Sequence, residues 1–392
     1  EITISTLESE AFEVKSDDVE SMIKVASTCL TGRSAGSDPR FAKMVVDALK
    51  HVTHDTEAGI RCDAEDVLFD KETDDNLSDS HLIQGINWRH RIPLDRMAGT
   101  YSEVTLATLG CDLKQREIKM EAEVELSSSE QLARFLTAQD EVMDAIAAKV
   151  IDSGASLVAT SGEIEKGVLH RLAAAGILVI SDLDDKQVRH LSIASGATLV
   201  EHIDDLSPSD LGNARNVVMS RNAATDEVRD KIVIDGCEGP LVTIVVGGTI
   251  GSEETIRGMY DALKATSIAI QDGRLINGAG YSHAIAAAAV RDAAEGVGDR
   301  TRLGMEAYAR ALEGIPWMLA SNAGVEALDS QIALRAAVRG SDTPQGILVD
   351  GSVGDVSDVV EPVESLLHGI TVATETTCSL LRIDQVISAR GD

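Results

Sequence analysis

Across residues 85–235, short apolar runs alternate with amphipathic helical stretches, and each run ends at a glycine or a polar loop. Residues 104–109, 156–159, 178–180 and 198–200 read as strands, nearly continuous in apolar side chains. Leu132, Phe135, Leu136, Met143 and Ile146 fall on one helical face, and 164–175 and 186–194 also carry helical spacing. A strand without a polar face has to be covered on both sides, so the alternation predicts a parallel α/β layer.

Helical sequence brackets this block. The first 50 residues place Val19, Met22, Ile23 and Val25, then Phe41, Met44, Val45 and Leu49, at helical spacing. Residues 51–80 are polar and acidic, with a surface turn expected over 74–80. A strand at 241–246 leads through glycines into a long helix from about residue 253. After Gly278 the chain reads as helix over 284–293, 300–312, 327–338 and 363–387. No short internal repeat is present.

With 65 Asp+Glu against 35 Lys+Arg, the formal charge is −30, on a chain that is 44% hydrophobic. That apolar fraction argues against wholesale disorder. The charge repels phosphate backbones and anionic lipid, so neither nucleic acid nor a membrane is an expected partner. No apolar run approaches the ~18 residues of a spanning helix. Only 12 of the basic residues are Lys, which leaves a hydrated carboxylate surface suited to high salt and points to a halophile. Five scattered cysteines without a CxxC pair read as reduced thiols, and the expected location is the cytoplasm. The chain opens on Glu1 rather than Met, as a processed protein or a fragment would.

Few motifs stand out by themselves. Val245-Val246-Gly247-Gly248-Thr249-Ile250-Gly251 is a glycine-rich strand-to-helix turn that could bare backbone N–H groups to phosphate or simply pack strand on helix. Its GGTI string also opens the nucleophile loop of asparaginase-like amidohydrolases, but the second threonine motif those enzymes need is absent. A second cluster, Asn277-Gly278-Ala279-Gly280-Tyr281, allows either close approach of a ligand or a hinge. His51 and His54 lack a third ligand at convincing spacing, so no metal site is assigned.

Several strings taken in order resemble the group II chaperonins, and among them the archaeal thermosome subunits. They include Leu82-Ile83-Gln84-Gly85, Ser153-Gly154-Ala155-Ser156-Leu157 and Asp204-Asp205-Leu206-Ser207-Pro208-Ser209-Asp210-Leu211-Gly212. Ile315-Pro316, Ser321-Asn322-Ala323-Gly324, Val360-Glu361-Pro362 and Leu380-Leu381-Arg382-Ile383-Asp384 follow in family order. The resemblance implies a multidomain α+β fold. An equatorial remnant over 1–14 is followed by an intermediate domain in two parts, 15–85 and 237–276. These enclose an α/β apical domain at 86–236, and the C-terminal part of an all-α equatorial domain fills 277–392. The helix of Leu132, Phe135 and Leu136 corresponds to the family's lid protrusion.

By the same resemblance, Asp261 in Asp261-Ala262-Leu263 corresponds to the catalytic carboxylate that promotes ATP hydrolysis. Gly278 and Gly280 correspond to the nucleotide-packing G-G-G loop, its middle glycine replaced by Ala279, and Glu361 to the acid that contacts the ribose or base. The family's G-D-G-T-T phosphate loop, which supplies the magnesium ligand, has no counterpart, and His283 stands where the family has Glu. The implied function is that of an ATP- and magnesium-dependent chaperone subunit, enclosing non-native clients within a double ring of like subunits. The alternative is an ATP-independent holdase using the apical domain. The isolated chain is expected neither to bind ATP tightly nor to hydrolyse it, and 277–392 is expected to be its least stable part.

Overall fold

The computed structural model describes residues 1–57, 59–73, 75–114, 129–221, 230–248 and 251–383. The chain forms two compact units, one made of residues 1–64 with 253–392 and the other of residues 65–252. The first opens with α1 (Ile2–Glu10), β1 (Phe12–Glu13), α2 (Val19–Leu30) and α3 (Pro39–Val52), then a small hairpin of β2 (His54–Thr56) and β3 (Gly59–Arg61). Helix α3 starts where it does because the Asp38 carboxylate accepts the Arg40 N–H at 3.0 Å and Pro39 needs no hydrogen-bond acceptor there. Its Phe41, Val45, Val46, Leu49 and Val52 are buried in one stripe.

The second unit runs through β4 (Val67–Glu72), β5 (His81–Ile83), β6 (Ile86–Arg89), β7 (Gly99–Leu109), α4 (Ser129–Ser153), β8 (Leu157–Thr160), α5 (Lys166–Ala174), β9 (Leu178–Ile180), α6 (Asp185–Ser195), β10 (Leu199–Val200), β11 (Gly212–Ser220), β12 (Lys231–Asp235) and β13 (Val242–Gly247). A seven-stranded sheet in the order β6-β12-β11-β7-β8-β9, with β10 beside β7, forms its centre. The expected parallel layer occupies one half only: β8, β9 and β10 are parallel to their neighbours, whereas β6, β12, β11 and β7 pair antiparallel. The hairpin of β11 and β12 causes the difference, since β11 alternates buried and exposed residues as a one-faced strand does. Glu103, at φ 52°, locally breaks the β7–β11 pairing without shifting its register, which runs from Ser102↔Asn216 to Val104↔Ala214. The parallel half buries Leu106, Leu109, Leu157, Val158, Val179 and Ile180 out of solvent, together with the threonines Thr108 and Thr160. Strand β13 pairs parallel with β4 and antiparallel with β5 in a separate three-stranded sheet.

The chain then returns to the first unit with α7 (Ser252–Asp272), β14 (Arg274–Asn277), α8 (Tyr281–Glu295), α9 (Thr301–Leu312), α10 (Gly314–Asn322), α11 (Ala327–Gly340), a hairpin of β15 (Gln345–Ile347) and β16 (Val353–Asp355), β17 (Val360–Pro362) and α12 (Val363–Leu381). Strands β1, β14 and β17 make a small antiparallel sheet. The Glu313 carboxylate, nearly inaccessible, joins the helices: Arg291 of α8 pairs with it, Arg335 Nε of α11 donates at 2.7 Å and Gln331 at 3.1 Å.

Candidate functional site

Helix α7 buries Met259, Ala262 and Leu263, which turns Asp261 outward. The Asp261 carboxylate is not free, because Arg33 Nη2 meets its Oδ2 at 2.8 Å. Arg33 follows the end of α2 through Gly32, whose φ of 79° suits glycine. A side chain at Gly258 would bring a Cβ to 3.2 Å from Arg33 Cδ, so glycine leaves the path of the arginine open. The Cys29 thiol on α2 is pushed up to about 11, mainly by burial, then by the Glu361 and Asp261 carboxylates, with Arg33 opposing. Asp261, Arg33 and Glu361 thus all lie within electrostatic reach of one half-buried thiol.

The second cluster is a turn between β14 and α8. Gly278 N–H donates to Val359 O at 2.8 Å, and Ile347 N–H of β15 donates to Ala279 O at 2.9 Å, so the turn is held from both sides. Gly280 adopts φ 81° and caps α8 without any side-chain hydrogen bond, which leaves the first N–H groups of the helix without a side-chain acceptor. A Cβ on Gly280 would strike Pro316 Cβ at 2.8 Å, whereas one on Gly278 meets nothing closer than 3.5 Å. Ala279 sits at φ 53°, a left-handed conformation that costs an L-residue roughly 1–2 kcal/mol. The methyl noted in the sequence therefore also strains the backbone.

Glu361 lies on β17 opposite Ile276, and the buried Ser282 hydroxyl at the start of α8 donates to its Oε1 at 2.9 Å. Burial pushes the Glu361 carboxyl up, and the Ser282 hydrogen bond offsets part of this. A Cβ on Gly278 would come to 3.7 Å from Glu361 Oε1, so turn and carboxylate adjoin. Burial pushes the His283 imidazole down.

The four residues singled out in the sequence all fall in the first unit. Gly278, Gly280 and Glu361 are brought together around the start of α8, while Asp261 on α7 pairs with Arg33. Sequence reasoning missed Arg33 and Cys29, whose partners are remote along the chain. In the Gly-Gly-Thr string, Thr249 and Ile250 lie outside the described residues. A Cβ on Gly247 would stand 2.1 Å from Asn76 O, so this glycine is required by a backbone crossing. The side chains of Leu132, Phe135 and Leu136 on α4 likewise lie outside the described residues. Among the described residues, no three His, Cys, Asp or Glu side chains are grouped to hold a metal ion. No helix among them is long and apolar enough to cross a membrane.

This fold is similar to that of the open-state monomer of a group II chaperonin from Methanococcoides burtonii, with a TM-score of 0.66 at 24% identity, covering 97% of this chain and 92% of that one. The architecture is that of a chaperonin. In sequence, the chain is 33% identical to a thermosome subunit of Methanopyrus kandleri over 98% of its own length and 71% of the relative's. It is 31% identical to thermosome subunit alpha of Halobacterium salinarum, over 98% of its own length and 68% of the relative's. Residues 1–391 match the TCP-1/cpn60 chaperonin family, and the chain belongs to that family.

Proposed function

We propose that the chain serves as a subunit of an ATP-dependent group II chaperonin that encloses non-native polypeptides in a ring of like subunits. The observation that carries this reading is the union of the glycine-capped start of α8, the Gly278–Gly280 turn and the half-buried Glu361 carboxylate in one place. Residues of that kind fit the ribose and base of a nucleotide, and the first turn of α8 offers an anion its N–H groups other than that of Tyr281, which donates to Gly278 O at 3.0 Å. ATP supplies the phosphoryl group whose transfer to water drives the cycle. Asp261 accepts hydrogen bonds and can orient or deprotonate an attacking water, and Arg33 holds that carboxylate in position meanwhile. The division into intermediate parts 15–85 and 237–276, apical 86–236 and equatorial 277–392 belongs to the same reading.

The test is light scattering of a heat-denatured client, with and without magnesium-ATP, by the chain assembled with complete thermosome subunits. Suppression of aggregation that changes with ATP is the expected result. Suppression indifferent to ATP favours the holdase, and no suppression under either condition defeats both readings. Magnesium-dependent ATP turnover is measured alongside on the chain alone, where none is expected; turnover abolished by Asp261→Ala would contradict that expectation and establish a self-sufficient site.

A further inference from the structure

Within the α/β unit, the chain passes twice between the three-stranded sheet and the seven-stranded sheet, from β5 to β6 and from β12 to β13. The crossings run side by side: Cys237 N–H donates to Gln84 O at 2.8 Å, and Gln84 N–H donates to Asp235 Oδ1 at 3.0 Å. Each contains a glycine at positive φ, Gly85 at 146° and Gly236 at 72°. A Cβ on Gly85 would stand 2.1 Å from Ile234 O, so the strands cross at backbone contact. Paired glycines at the ends of strands can absorb a change of φ and ψ without steric cost.

A second tie spans the same two sheets. On β4, Asp70 and Glu72 share a face, and on β6 Asn87 and Arg89 do the same. Asn87 Nδ2 donates to Asp70 Oδ2 at 2.6 Å. Glu72, with its side chain only 6% exposed, is paired with Arg89 and accepts from Lys231 Nζ at 2.6 Å. Arg89 and Lys231 are direct cross-strand partners on β6 and β12. Two cations in that register repel one another; the Glu72 carboxylate contacts both, and the Asp70 carboxylate on the same face of β4 is near enough to act on each. A buried carboxylate with two cationic partners is costly to break, because each partner loses its counter-charge.

We propose that Glu72 is a charge-operated latch. While its carboxylate grips Arg89 and Lys231, the two sheets are locked across the Gly85–Gly236 crossing, and loss of that charge takes from two facing cations the carboxylate that contacts both and frees the crossing to flex. The inference stands on the α/β unit alone and does not depend on the nucleotide site.

The test is amide hydrogen exchange of the full chain. In Glu72→Gln, the amides of residues 86–89 and 231–235 are expected to exchange roughly tenfold faster, while those of β8 and β9 stay unchanged. The charge swap Glu72→Arg with Arg89→Glu restores an opposite-charge pair and is expected to return exchange to within about twofold of the parent. Unchanged exchange in Glu72→Gln, equal acceleration in β8 and β9, or a swap that leaves exchange fast would each overturn the latch.

Discussion

In the α/β unit, strands β7, β8 and β9 hold Leu106, Leu157 and Ile180 wholly out of solvent, whereas in the helical unit α9, α10, α11 and α12 leave Leu303, Met318, Ile332 and Leu381 more than half exposed. The contrast follows from geometry. A sheet covered on both faces closes its own core, while helices with one apolar stripe each need a further surface to complete theirs. At ~25 cal/mol per Å² of apolar surface, uncovered stripes forgo several kcal/mol. The helical unit compensates in part with a charged centre, the Glu313 carboxylate shared by Arg291 and Arg335.

The sharpest way to break this contrast is to weaken each centre in turn and follow unfolding by urea. Leu157→Ala is expected to cost about 3–4 kcal/mol, because the cavity lies in a closed core. A loss below 1 kcal/mol would mean that the sheet is less tightly packed than described. Glu313→Ala is expected to cost less, about 2–3 kcal/mol: it leaves two guanidinium groups unpaired, but Arg335 is half exposed and recovers water.

Smaller effects sharpen the account of the turn before α8. Gly280→Ala is expected to destabilise by about 2 kcal/mol, from its φ of 81° and the clash with Pro316. Ala279→Gly is expected to stabilise by about 0.5 kcal/mol, the relief of left-handed strain exceeding the added freedom of the unfolded chain. A destabilised Ala279→Gly variant would show that the methyl contributes packing.

Two carboxylates of the helical unit, the buried Glu313 and the half-buried Glu361, are expected to respond to pH with opposite signs. Burial would raise Glu313, but the hydrogen bonds of Arg291 and Arg335 prevail and hold it below the usual carboxylate range. Its contribution is therefore complete above the unfolded value of about 4.3 and is lost as pH falls through the folded value. Burial holds Glu361 above its usual range, so the folded state binds its proton more tightly, and stability declines as pH rises from the unfolded value through the folded one. Glu361→Gln is expected to abolish that decline and to raise stability at neutral pH, as read from urea midpoints across pH 4–7 by order of magnitude.

Much of the α/β unit was legible in the sequence because residues 104–109 of β7, with β8 and β9, are nearly continuous apolar runs alternating with amphipathic helices. The antiparallel half was not, because β11 carries Asn213, Arg215 and Asn216 on or near its outer face and presents a diluted alternation. Strands of two to four residues, such as β1, β14 and β17, are too short to display a period and are formed by pairing with remote partners. At the candidate site, motifs pointed to Asp261, Gly278, Gly280 and Glu361, yet nothing local to Arg33 announces that it meets Asp261. The strain at Ala279 was invisible too, since φ is fixed by the hydrogen bonds on both sides of the turn and not by the residue itself.

Native-state hydrogen exchange on the monomeric full chain tests the contrast between the units most directly. The amides of β7, β8 and β9 are expected to exchange only by global opening of the α/β unit, and those of α10, α11 and α12 at least ~100-fold faster through local opening. Protection in α10–α12 equal to or greater than that of β7–β9 would contradict the account.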